Sequence, residues 1–145
     1  MFFVIDSISK NLFRIKFHSP WLNQETLTVL MAADLLVLPT RGEQALVSVP
    51  SKLLSYMLSG CCILAMAPSN SEIAGIITSS GAGWVNSTND FGALATCISE
   101  ISDLSLDERC RRGQAGRDFV LTHFSKSTNI TEVVKILNQM GDQSE

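Results

Sequence analysis

The residues best suited to chemistry are Ser48-Val49-Pro50-Ser51-Lys52. They follow an apolar run and a polar loop, and Pro50 sits where a helix begins. The first amides of a helix lack partners within it, and the positive end of the helix dipole lies beside them. An anion is favoured there. Ser48 and Ser51 add hydroxyl donors and Lys52 adds charge, which suits a phosphate. The same five residues also suit simple helix capping, with Lys52 solvated. His18 follows a strand-like stretch, lies in the turn His18-Ser19-Pro20, and falls on the side of the loop from Thr40 to Val49. It reads either as a plain turn residue or as a ligand contact. His123 ends a helix, where its ring complements the negative dipole end.

A catalytic constellation is absent. His18 and His123 are the two histidines, and no His/Cys/Asp grouping has the spacing of metal ligands. Neither the dinucleotide glycine fingerprint nor the P-loop motif occurs. The candidates are therefore binding residues, with no catalytic residue, metal or cofactor assigned.

What must position them is the stretch from Asp34 to Met66. Leu35-Leu36-Val37-Leu38, stopped by Pro39, and Cys61-Cys62-Ile63-Leu64-Ala65-Met66 are continuous apolar runs. Neither alternates, which fits strands covered on both faces in a parallel sheet. Between them Leu53, Leu54 and Met57 give a helix an inward face, and Gly60 ends it. Ligands of such sheets bind where loops leave the carboxyl ends of the strands, so the loop after Pro39 lies at the chemistry.

Around this centre the elements alternate. Phe2 to Ile5 reads as a strand or a helix end, and Leu12 to Phe17 as a half-buried strand. A helix runs from Asn23 or Gln24 to Ala33. Ser71 and Glu72 open a helix with Ile73, Ile76 and Ile77 inward, and Trp84-Val85 is a short strand. Asn89 or Asp90 caps a helix with Phe91, Leu94, Ala95, Ile98 and Ile101 inward. Leu106 to Phe124 forms another helix, and Ser125 or Ser127 caps a last one. Strands alternating with helices indicate an α/β, Rossmann-like, doubly wound parallel sheet. The chain reads as one domain over 1–145, with a helical tail over 106–141 packing on it.

A net charge of −3 and a pI near 5.3 do not suit a nucleic-acid-binding face. Arg109, Arg111, Arg112 and Arg117 are interleaved with acids and read as a solvated helix face. Cys61 and Cys62, adjacent in a strand, should point to opposite faces. With Cys97 and Cys110 they read as reduced, buried thiols of a cytoplasmic protein. No apolar run reaches membrane-spanning length, and the N-terminus does not read as a signal peptide.

From about Phe17 to Phe124 the order of motifs resembles the C-terminal part of GT-B-type retaining glycosyltransferases of the group 1, family 4-like kind. The matching pieces are Ala33-Asp34 before the strand ending at Pro39, and Pro50-Ser51-Lys52-Leu53-Leu54-Ser55-Tyr56-Met57 through Gly60. Ser71-Glu72-Ile73-Ala74, Ser80-Gly81-Ala82-Gly83-Trp84-Val85, Gly113-Gln114-Ala115-Gly116-Arg117 and His123-Phe124-Ser125 follow in family order. The resemblance implies a nucleoside-diphosphate sugar as donor, with Ser48, Ser51 and Lys52 near the diphosphate and Ser55 near the ribose. His18 and Ser19 would lie toward the base, and Glu43 toward the sugar. Many members carry paired glutamates where this chain has Val47 and Ser55. The implied role is the donor-binding part of an enzyme transferring a sugar to a glycan or lipid-linked acceptor in polysaccharide biosynthesis. An N-terminal acceptor domain would be needed ahead of Phe2, so the expectation is a partial enzyme, inactive alone, whose full form is cytoplasmic or peripheral at the inner membrane face. The alternative is a non-catalytic nucleotide-binding or partner-docking module.

Overall fold

The computed structural model describes residues 3–6, 14–17, 23–40, 49–87 and 90–125. The chain divides into two compact units, Met1–Ala33 and Asp34–Glu145. In the first, strands β1 (Phe3–Asp6) and β2 (Arg14–Phe17) pair antiparallel, with Phe3 opposite Phe17 and Asp6 opposite Arg14. Helix α1 (Asn23–Met31) belongs to the same unit.

The second unit carries the parallel sheet. Strands β3 (Leu36–Pro39), β4 (Ile63–Met66) and β5 (Gly83–Asn86) lie in the order β3-β4-β5, with Leu36 beside Ile63 and Ile63 beside Gly83. Helix α2 (Ser51–Ser59) connects β3 to β4, and α3 (Glu72–Ser80) connects β4 to β5. Helices α4 (Phe91–Ser102) and α5 (Leu106–His123) follow. This is an α/β architecture consistent with a Rossmann-like fold.

The continuous apolar run of β4 has the cause inferred from its sequence. Ile63, Leu64 and Ala65 are all fully buried, and successive strand residues face opposite sides, so both faces are covered. Leu53 and Met57 of α2, Ile73 and Ile77 of α3, and Leu38 of β3 complete the core. Gly60 and Gly81 end α2 and α3 in the left-handed conformation, at φ 75° and 68°. A side chain would be strained there.

Helix α5 packs on α2, α3 and β5, and glycines let it approach. A Cβ at Gly113 would run into the carbonyl oxygen of Gly60, and one at Gly116 would stand 2.8 Å from Ala82 Cβ. Three arginines fasten the helix. Arg117 Nη1 donates to Leu58 O at 3.0 Å, and Arg112 Nη1 to Gly83 O at 3.3 Å. Arg109 Nη1 donates to Ser102 O and Leu104 O at 3.1 and 2.9 Å. Arg112 also lies 4.5 Å from the centroid of the Trp84 ring.

These contacts correct the reading of a solvated arginine face. Arg111 is exposed, but Arg109, Arg112 and Arg117 bridge α5 to backbone carbonyls elsewhere in the unit. Phe91, expected to point inward, is 78% exposed. It occupies the first position of α4, beyond the part of that helix whose Ile101 is buried. Cys110 is also exposed, not buried. Among the described residues, no helix is long and apolar enough to cross a membrane.

Candidate anion-binding site

The carboxyl ends of β3, β4 and β5 lie together because the strands are parallel and in register. Pro39, Met66 and Asn86 mark that edge. Thr40 fixes it: its backbone N–H and its hydroxyl both donate to Met66 O, at 3.1 and 2.6 Å. Ala67 N then donates to Asn86 O at 3.1 Å. Three chain segments thus leave the sheet at a pinned edge, and α2, α3 and α4 start after them.

The starts of these helices differ. Ser71 caps α3: its Oγ accepts from Ala74 N at 3.2 Å and donates to Pro68 O at 2.7 Å. Asp90 caps α4, accepting from Gly92 N at 2.8 Å. Away from this edge, Ser105 caps α5, accepting from Glu108 N at 3.2 Å. Helix α2 has Pro50 at its cap, with φ −69° and ψ 139° and no side-chain hydrogen bond, and no acid in its first turn. Proline has no side-chain acceptor, so the opening of α2 keeps its positive end uncompensated by any cap or carboxylate of its own. That is the arrangement an external anion satisfies.

Of the sequence-derived candidates, Ser51 is exposed at the first helical position, and Lys52 beside it is half-buried. Ser55 lies one turn on, exposed, and donates its hydroxyl to Ser51 O at 3.1 Å. That bond uses the hydroxyl proton and leaves the oxygen free to accept a hydrogen bond from a ligand hydroxyl. Ser51, Lys52 and Ser55 therefore share the first turns of one helix. Ser48, His18, Ser19 and Glu43 lie outside the described residues.

Sequence reasoning found the helix start but not what distinguishes it, the contrast between its proline cap and the Ser or Asp caps of the neighbours. That signal was readable at Pro50, Ser71, Asp90 and Ser105. Thr40 was also missed as the residue that fastens the edge. Among the described residues, no group of three or more His, Cys, Asp or Glu side chains gathers as a metal site would require. The chain matches no protein-family model, no curated protein and no solved structure.

Proposed function

We propose that the Asp34–Glu145 unit binds the diphosphate of a nucleoside-diphosphate sugar at the start of α2, as the donor-binding part of a glycosyltransferase. One observation carries the reading: α2 opens without a side-chain cap at the carboxyl edge of a parallel sheet, where its neighbours are capped. The motif order from Ala33 to Ser125 supplies the sugar-nucleotide class.

In this reading the Ser51 amide and hydroxyl donate to phosphate oxygens, and Lys52 adds positive potential. When the glycosidic bond to the diphosphate breaks, negative charge builds on the leaving oxygens. Donors already fixed in place stabilise that charge without reorganising. Ser55, one turn later, accepts from a ribose hydroxyl. Thr40 acts at one remove by holding the edge from which the loop departs.

A nucleotide-binding module without turnover is the second reading. It is favoured by the sequence of α2, Ser51 to Ser59, which carries no carboxylate to grip a ribose through two hydrogen bonds.

The test is calorimetric titration of the chain with UDP- and GDP-sugars, and with uridine and guanosine. Binding is expected for at least one nucleoside-diphosphate sugar, much weaker for the nucleosides. Lys52→Ala should weaken the diphosphate ligand more than the nucleoside. Absence of heat at millimolar sugar nucleotide would contradict both readings. Equal weakening of the two ligand classes would remove Lys52 from the phosphate role.

A further inference from the structure

We draw no further inference here: the strongest candidate, the outer edge of strand β3, where Val37 turns its backbone groups away from β4, carries nothing because nothing in the structure shows what covers it.

Discussion

Ser71 satisfies two backbone groups with one hydroxyl, closing the start of α3 and the turn before it. Ser71→Ala should cost about 1 kcal/mol, read as a lower urea midpoint with an unchanged slope. A cost near zero would mean that the cap is replaced by solvent. Glu108 makes a pH-dependent contribution. Arg111 donates to both carboxylate oxygens at 2.9 and 2.8 Å, and Arg112 Nε to one of them at 2.8 Å. The hydrogen bond from Arg111, then that from Arg112, holds the carboxyl at about 2, below its ordinary 4.5. Between those values the unfolded chain binds the proton that the folded chain refuses. The stabilisation is therefore present above the ordinary value and lost as pH falls toward about 2. Urea melts at stepped pH should show the parent's advantage over Glu108→Gln shrinking across that window; a constant difference would contradict the assignment. Arg109, Arg112 and Arg117 show what the sequence concealed. Their spacing among acids resembles a solvated face, because their acceptors, Leu58 O, Gly83 O, Ser102 O and Leu104 O, are backbone atoms that composition cannot locate.

At the scale of elements, β3, β4, α2 and α3 were legible for simple reasons. Continuous apolar runs, Gly60 and Gly81 after helices, and Ser71 before one are local signals tied to local backbone chemistry. Boundaries set by pairing were not. The apolar run at Cys61 suggested a strand, yet the ladder begins at Ile63, where Leu36 and Gly83 are its partners. Phe91 keeps the helical period but sits beyond the buried end of α4, and period alone does not say how far a neighbour extends. Helix α5 has a poor apolar stripe and packs instead through Gly113 and Gly116. Gly113→Ala would gain roughly 1 kcal/mol of helix propensity, but the added Cβ meets Gly60 O. A net loss of about 1–3 kcal/mol is expected, measured by chemical denaturation. Stabilisation at this position would show that α5 does not rest against the end of α2.

For the whole molecule, the α/β class was legible because strand and helix periods alternate along the chain. The antiparallel pairing of β1 with β2 was not, because Phe2 to Ile5 suits a strand or a helix end equally and no local signal sets Phe3 opposite Phe17. The two ends of the parallel sheet carry different chemistry. The carboxyl edge gathers helix starts, hydroxyls and Lys52. The amino end gathers thiols and the guanidinium of Arg109.

Diphosphate binding at the uncapped start of α2, as proposed above, makes a sharp prediction. The most direct test places a carboxylate at that start. Pro50→Asp keeps a backbone conformation that aspartate adopts readily and supplies the cap, worth roughly 0.5–2 kcal/mol. Losing proline returns about 0.4–1 kcal/mol of freedom to the unfolded chain, so the fold should hold. Calorimetric titration of the parent and Pro50→Asp with UDP, GDP and their nucleosides then decides. At least a tenfold loss of diphosphate affinity is expected in Pro50→Asp, with nucleoside affinity and thermal stability little changed. Equal diphosphate binding by the two proteins, or none by the parent, would contradict it.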